Sequence, residues 1–536
     1  MEIQDRMLLS GNEAVALAAY HAGVTLARAY PGTPSTEILE EFAELGGPAE
    51  WSPNEKVAYE VALGGAFAHG ARTLAAMKHV GVNVAADPLF TSMYTGVSGG
   101  MVLVSTDDPG MASSQNEQDN RRYAVAAGIP TLEPSDSQEA YDLTLKGYEI
   151  SERWGLPVML RMTTRVCHSK SVVRPGGTMA SKATPHFEHD RRGRVMIPGF
   201  ARPAHRRLRA KLAEVQAWNE TSPLNRRMDG DRSLGIITAG VAYVHAREAA
   251  PAASMLKLGM TYPLPIELIR SFASEVDRCV VIEENDPYLT DAIRAAGIPC
   301  EGKDEMYRFD ELNVTRVRRI LANDLSPEPV PPPGKPPQLC IGCPHRTVMS
   351  VLHRHDCAIM GDIGCYTLAV LPPLEAHDSC VCMGASVGVG LGLRHVLPRD
   401  EAKRVVSVIG DSTFVHGGIS GLVEMVYNPP PTGHVLIILD NGTTAMTGLQ
   451  EHPGTGRSLK HKATGRVVFE DLARTLGVKN VHVIDPTASV SAFNKLIVDS
   501  LESEELVVII ARKPCTLAEK KLEEWAKAAA AGCSNE

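Results

Sequence analysis

Two stretches late in the chain are apolar almost without interruption: Val405-Val406-Ser407-Val408-Ile409 and His434-Val435-Leu436-Ile437-Ile438-Leu439. Short apolar runs rich in β-branched residues predict strands buried on both faces, as in a parallel sheet. Parallel neighbours need a crossover, and the residues around Gly418 to Val426 read as the crossover helix. Such a βαβ unit brings both strand ends to one edge of the sheet, where open α/β sheets bind ligands. The first run ends in Gly410-Asp411-Ser412; thirty positions after Asp411 comes Asn441, in Leu439-Asp440-Asn441-Gly442-Thr443. Asp411 and Asn441 are therefore expected to converge. One carboxylate, one amide oxygen and a backbone carbonyl suit a hard Mg²⁺ ion that also holds a diphosphate. The alternative is an ordinary βαβ unit with a polar strand end, since Gly-Asp is a common turn starter.

The same alternation organises the rest of the chain. From residue 7 to about 175, strands are expected at Ala27–Tyr30, Thr73–Met77, Met101–Val104 and Leu156–Arg161. The turn Pro31-Gly32-Thr33-Pro34 precedes a predicted helix over Glu37 to Leu45, with Ser35 and Thr36 as its caps. An Ala/Gly-rich helix is expected from Val57 to Gly70, directly after Asn54-Glu55-Lys56. Residues 176–232 are polar, basic and mixed, and predict an excursion or connecting helix. Strands restart at Leu234–Thr238 and Cys279–Glu284, in a smaller α/β segment over 233–325. Residues 326–337 hold seven prolines, which excludes a helix or central strand and predicts an extended linker. A last α/β unit fills 338–520 and ends with a strand at Leu506–Ile510; the tail, 521–536, belongs to a surface helix with a frayed polar end. The expected fold class is α/β, multi-domain, with doubly wound parallel sheets.

Composition narrows the function classes. A net charge of −9 opposes binding to nucleic acid or an anionic membrane, either of which needs a basic face. No apolar run approaches the roughly 18 residues of a membrane span. The start, Met1-Glu2-Ile3-Gln4-Asp5-Arg6, lacks the basic and apolar regions of a signal peptide, so a cytoplasmic protein is expected. Eleven cysteines in such a chain point to reduced thiols or metal rather than disulfides.

Four of those cysteines lie at predicted loops or strand ends of the last unit. Cys340-Ile341-Gly342-Cys343 follows the linker, Cys365 closes Gly361-Asp362-Ile363-Gly364-Cys365, and Cys515 follows the last strand. Four thiolates meeting there fit zinc or an iron–sulfur cluster, and spacing does not decide between them. Buried unrelated thiols are the alternative. Cys380 and Cys382 lie nearby as competing ligands, whereas Cys167, Cys279, Cys300, Cys357 and Cys533 look unpaired. In the first unit, Glu55 at a helix start reads as dipole compensation or as a carboxylic acid set against a cofactor ring.

Taken together, the motifs resemble one family, the large (alpha) subunit of indolepyruvate ferredoxin oxidoreductase, a branch of the 2-oxoacid:ferredoxin oxidoreductases. The resemblance runs from about residue 7 to 515. It rests on Tyr-Pro-Gly-Thr-Pro at 30–34, Asn-Glu-Lys at 54–56, Met-Lys-His-Val-Gly-Val-Asn-Val-Ala-Ala-Asp-Pro at 77–88 and Ser-Ser-Gln-Asn-Glu-Gln-Asp at 113–119. It continues in Cys-Ile-Gly-Cys-Pro-His-Arg at 340–346, Gly-Asp-Ile-Gly-Cys-Tyr-Thr at 361–367, Gly-Asp-Ser-Thr-Phe at 410–414 and Thr-Ala-Met-Thr-Gly at 444–448.

The resemblance implies a thiamine diphosphate-binding fold. Residues 1–175 correspond to a pyrimidine-binding domain, 233–325 to a transketolase C-terminal type of domain, and 338–520 to the diphosphate- and Mg²⁺-binding domain. It implies that Glu55 activates the aminopyrimidine, with Thr33 and His79 near the substrate, and that Gly410, Asp411, Ser412, Asn441, Thr443 and Met446 bind the cofactor. Asp411, Asn441 and the Thr443 carbonyl would ligate Mg²⁺; Cys340, Cys343, Cys365 and Cys515 would hold a [4Fe–4S] cluster. His416 lies in a motif that lines the site. The implied reaction is oxidative decarboxylation of an arylpyruvate with coenzyme A, giving an acyl-CoA, CO₂ and electrons that leave through the cluster.

Members of this family usually continue into a ferredoxin-like domain with two CxxCxxCxxxCP runs, and here only Cys533 follows Cys515. A partner is therefore expected to carry the distal clusters, unless the acceptor differs or the sequence stops short of that domain. A small (beta) subunit, ferredoxin or another electron-transfer subunit, and a dimer of heterodimers complete the expectation. The alternatives are a non-oxidative thiamine diphosphate-dependent decarboxylase or lyase, and a non-catalytic cofactor-binding subunit.

Overall fold

The computed structural model describes residues 5–179, 184–329 and 334–532. Cys533 and the end of the tail, for which fraying was expected, lie outside these residues, as do linker positions 330–333. The chain forms two compact units, Met1–Pro329 and Val330–Glu536, and the boundary along the chain falls inside the proline-rich stretch. Neither helix nor strand occupies its described part.

The second unit is built on five parallel strands in the order Ala358–Met360, Val405–Gly410, His434–Asp440, Leu506–Arg512 and Asn480–Ile484. Successive side chains of a strand point to opposite faces, and both faces here are apolar. Val435, Ile437 and Leu439 pack in one core layer with Val406, Val408, Phe493 and Ile509. Leu436 and Ile438 pack in the other with Ile409, Phe414, Leu422 and Ile510. Burying each such side chain contributes about 1.5–3 kcal/mol, which makes this central pair of strands the firmest part of the unit. The predicted crossover helix is Ile419–Tyr427, entered through a π-helical turn at Phe414–Gly418. Helix Glu519–Gly532 follows the last strand.

The first unit holds a seven-stranded sheet in the order Met260–Tyr262, Thr131–Leu132, Val158–Thr163, Gly100–Asp107, Arg72–Lys78, Leu26–Ala29 and Ala49–Trp51. All its pairings are parallel except that of Met260–Tyr262. A second sheet of four strands combines Cys279–Ile282, Asp231–Ala239 and Ala253–Leu258 with Arg226–Met228 from the preceding connecting stretch, so it starts earlier than the expected 233–325 segment, which also lends Met260–Tyr262 to the first sheet. The polar stretch before it contains the long helix Pro198–Asn219.

Two local expectations are corrected. The helix after Pro34 is Thr36–Glu44, and neither hydroxyl caps it. The Ser35 hydroxyl donates to the Gly32 carbonyl at 2.8 Å and Thr36 Oγ1 accepts from Gly32 N at 3.0 Å, so both close the preceding turn instead. The Ala/Gly-rich helix is Glu55–Ala66, earlier at both ends than expected. Asn54 caps it by accepting from Val57 N at 2.9 Å, which places Glu55 inside the first turn. The chain leaves it early because His69 pairs with the backbone of His186.

Two arginines inside the first unit are almost inaccessible. Arg161 donates to Asp107 at 2.8 Å, Glu133 at 2.9 Å and Asn285 at 2.6 Å. Arg121 reaches Glu283 at 3.0 Å and the Glu284 carbonyl at 2.8 Å. These bonds tie the large sheet to the segment after strand Cys279–Ile282. Removing one partner from such a pair leaves buried charge uncompensated. Arg161→Met is therefore expected to destabilise the protein by about 3–5 kcal/mol, read from urea unfolding; a loss below about 1 kcal/mol, the range of an exposed pair, would contradict this role.

Candidate functional site

In the second unit the two strand ends converge on one carboxylate. Asp411 begins where strand Val405–Gly410 stops, and it is 3% exposed. Its Oδ1 accepts from Ser412 N at 2.7 Å. Its Oδ2 accepts from Asn441 N at 3.1 Å and Gly442 N at 2.8 Å. Gly442 sits at φ +76°, a left-handed turn that favours glycine and turns its N–H toward Asp411. The Asn441 side-chain oxygen accepts from Thr443 N at 3.0 Å, and the Thr444 hydroxyl donates to that of Ser412 at 2.9 Å. Met446 is 51% exposed, on the loop closed by the Thr444–Gln450 bridge. Burial alone would raise the Asp411 carboxyl; His452 and the N–H groups of Ser412 and Gly442 outweigh it and hold it below the usual carboxylate value.

His452 was not singled out by sequence. Its Nδ1 accepts from Gly454 N at 3.2 Å, so in the neutral ring Nε2 carries the proton, and Nε2 lies 3.3 Å from Asp411 Oδ2. His345, within the Cys-x-x-Cys-Pro-His-Arg motif, faces the Asn441 amide, Nε2 to Nδ2 at 3.4 Å. Burial pulls its pKa down to about 4 against the attraction of Asp411, so this imidazole is neutral and accepts from the amide. His416 is buried in the π-helical turn. Asp362 is fully buried and accepts from the N–H groups of Ile363, Gly384 and Ser386, at 2.8–3.0 Å, which pins the glycine turn beside Cys365.

The four cysteine positions are neighbours. Burial pushes the Cys365 thiol up to about 11, and Cys343, Cys515 and Cys340 add to the shift. Burial likewise raises Cys343, with Cys340 and Cys515 adding to it. Among the described residues, however, no three His, Cys, Asp or Glu side chains close on one point as ligands of a single ion. Cys380 and Cys382 stand beside Asp362 rather than with the quartet: burial raises both, and that carboxylate adds to each. Cys167, Cys279 and Cys357 are buried in the core.

Each cysteine segment is hydrogen-bonded to the Asp411–Asn441 turn pair. Cys515 N donates to the Asn441 carbonyl at 3.0 Å. His345, two residues past Cys343, meets the Asn441 amide, and Tyr366, next to Cys365, accepts from Gly410 N at 2.9 Å through its hydroxyl. Oxygen donors suit a hard cation at Asp411 and Asn441, and thiols suit iron or another soft metal beside them, so the side chains present fit both groups.

In the first unit, the sites expected from sequence gather at the ends of the adjacent strands Leu26–Ala29 and Arg72–Lys78. Glu55 is 5% exposed and lies against Gly81, where an added Cβ would fall 2.8 Å from its Oε1. Gly81 belongs to helix His79–Val84. His79 is fully buried, and its Nε2 lies 3.0 Å from the Asn116 carbonyl, so that nitrogen carries the proton. Lys78, within a motif but not singled out, donates to the Ser113 carbonyl at 2.7 Å; the Ser113 hydroxyl lies 3.4 Å from the Thr33 carbonyl. Thr33 is half-buried.

Parallel α/β sheets whose strand ends present an Asp–Asn pair in one unit and a buried Glu–His–Lys group in the other define a thiamine diphosphate enzyme fold. Residues 17–206 match the family model "Pyruvate flavodoxin/ferredoxin oxidoreductase, thiamine diP-bdg", and residues 362–511 match "Thiamine pyrophosphate enzyme, C-terminal TPP binding domain". The chain is 41% identical to indolepyruvate oxidoreductase subunit IorA of Archaeoglobus fulgidus, over 96% of this chain and 87% of that one. It is 36% identical to the Pyrococcus horikoshii protein of the same name, over 96% and 86%. The chain belongs to the indolepyruvate oxidoreductase subunit IorA family, among the thiamine diphosphate-dependent 2-oxoacid:ferredoxin oxidoreductases. The solved 2-oxoglutarate:ferredoxin oxidoreductase of Magnetococcus marinus, with 2-oxoglutarate, coenzyme A and succinyl-CoA bound, shares the fold at TM-score 0.52 and 18% identity, over 60% of this chain and 66% of that one. Among the described residues no helix is long and apolar enough to cross a membrane.

Burial lowers the Lys78 pKa to about 8, partly offset by Asp108. Between that value and the unperturbed 10.5 the folded state binds fewer protons than the unfolded one, so this residue's contribution to stability rises with pH across the window. The amine is expected to titrate near 8 in pH-dependent acylation followed by peptide mass spectrometry; a midpoint at the ordinary lysine value would contradict its burial.

Proposed function

We propose that this chain is the large subunit of an oxidoreductase that decarboxylates an arylpyruvate, indolepyruvate or a close analogue, with coenzyme A as acyl acceptor. The observation that carries the reading is the hydrogen bonding of three cysteine segments to Gly410 and Asn441. It sets an oxygen-donor anchor and a thiol quartet on one rigid sheet edge. Asp411, Asn441 and the Thr443 carbonyl hold Mg²⁺, with Gly410, Ser412 and Met446 beside the diphosphate. Glu55, buried against Gly81, faces the aminopyrimidine; Thr33 and His79 orient substrate. When bound, thiamine diphosphate supplies the electron sink that lets a 2-oxoacid lose CO₂.

Cys340, Cys343, Cys365 and Cys515 would hold a [4Fe–4S] cluster, which supplies one-electron transfer when bound. Support for this reading is the neighbourhood of the four thiol positions in the second unit, together with the softness of thiolate donors, which suits iron. The arylpyruvate assignment draws on IorA relatives at 36–41% identity over 96% of the chain, against 25% over 52% for the 2-oxoglutarate synthase subunit KorA of Archaeoglobus fulgidus. Coenzyme A draws on the Magnetococcus marinus neighbour. A small (beta) subunit completes the enzyme as a cytoplasmic dimer of heterodimers, and ferredoxin or a further iron–sulfur subunit receives the electrons.

Paired variants of the assembled complex separate the two halves. Cys365→Ser is expected to retain thiamine diphosphate but lose about four irons per large subunit and its substrate-dependent reduction of ferredoxin. Glu55→Gln is expected to retain iron and lose turnover by about 10²–10⁴-fold, the range for a general acid–base group. A fully active Glu55→Gln enzyme, or a Cys365→Ser enzyme with unchanged iron and activity, would contradict the assignment.

A further inference from the structure

The turn that carries Asn441 leads into a long irregular loop, and that loop is held from outside by the C-terminal helix. The indole of Trp525 lies flat on the imidazole of His461, with ring centroids 3.8 Å apart and planes 8° from parallel. His461 Nδ1 lies 2.7 Å from Oε1 of Glu451, and Arg457 Nε reaches the same oxygen at 2.7 Å. Glu451 is 2% exposed. The next residue is His452, whose Nε2 faces Asp411 at 3.3 Å. His461 also adopts φ +58°, a left-handed conformation unfavourable for a side chain with a Cβ, so the contacts on its ring must hold it there.

A second contact comes from the same helix. Leu522 is 9% exposed and approaches Gly442, where an added Cβ would stand 3.7 Å from it, at ordinary van der Waals distance. The helix is itself rooted beside Cys515, since Ala518 N donates to the Cys515 carbonyl at 2.9 Å and Leu522 N to that of Ala518 at 2.8 Å. One helix thus touches the cofactor turn through Leu522 and, through Trp525 and His461, the segment that orients His452.

We propose that helix Glu519–Gly532 is a positioning clamp for the thiamine diphosphate site, with Trp525 and His461 acting through Glu451 and His452 on Asp411. None of these four residues needs to touch the reacting atoms; they fix the direction in which the Asp411 carboxylate points. The inference rests on reading Asp411 as the anchor for Mg²⁺ and the diphosphate.

The test is thiamine diphosphate binding in the presence of Mg²⁺, measured by isothermal titration on anaerobically prepared complex. Trp525→Ala is expected to weaken affinity about tenfold, with iron content unchanged. Trp525→Phe, which keeps a ring over His461, is expected to return to within about twofold of the parent, about 0.4 kcal/mol. In turnover the loss is expected in the apparent KM for thiamine diphosphate, with kcat retained at saturating cofactor. Should Trp525→Ala fail to fold, Glu451→Gln carries the same test and the same expected loss. Equal affinity in the parent and Trp525→Ala would overturn the clamp, as would a Trp525→Phe as weak as the alanine variant. A parent that binds no thiamine diphosphate would instead overturn the reading of Asp411.

Discussion

The Asp411 carboxylate is the constraint on which the candidate site depends. It is buried at the end of one parallel strand and receives N–H donors from Ser412, Asn441 and Gly442, the last two at the end of the neighbouring strand. A buried carboxylate is costly unless its charge is matched, and three oriented N–H groups with His452 match it. Because each of those donors belongs to a turn fixed by a buried strand, the register of the two strands and the geometry of the turns determine each other. A one-residue slip would move every core side chain of His434–Asp440 into the opposite core layer and also break the Asp411 contacts.

From this anchor the rest of the second unit follows outward. Asn441 is shared: its N–H faces Asp411, its carbonyl receives Cys515 N, and its side-chain amide meets His345. Gly410 donates to Tyr366 beside Cys365. The thiol positions are thus set by the same few peptide groups that set the oxygen donors, and a displacement at one group is felt at the other. The first unit handles charge differently. Arg121 and Arg161 are enclosed by carboxylates drawn from distant parts of the chain, a network whose worth lies in joining the two sheets in one arrangement.

The strands were readable from sequence because a strand buried on both faces has no polar side to disguise it; Val405–Gly410 and His434–Asp440 are such strands. The Asp411–Asn441 convergence was readable because βαβ topology dictates it. The hydroxyls of Ser35 and Thr36 were misread as caps, since whether a hydroxyl serves the helix or the turn before it depends on tertiary packing of Gly32 against Lys78. Arg121 and Arg161 look like surface charges in the sequence, and only their partners, more than a hundred residues away in the case of the Glu283 carboxylate and the Asn285 amide, explain their burial. His452 and His461 gave no signal because irregular loops lack a period, and Trp525 is a lone aromatic on a helix whose partner ring the sequence does not indicate. The family resemblance, by contrast, agrees with relatives matched over 96% of the chain.

The most direct test of the account is whether substrate electrons reach iron held by this chain. Anaerobically purified complex would be assayed for iron and sulfide, then followed by EPR before and after adding indolepyruvate and coenzyme A. The account predicts about four irons per large subunit attributable to this cysteine quartet, with a cluster signal that develops on adding the 2-oxoacid. A folded, thiamine diphosphate-loaded and active complex in which this quartet holds no iron would contradict it.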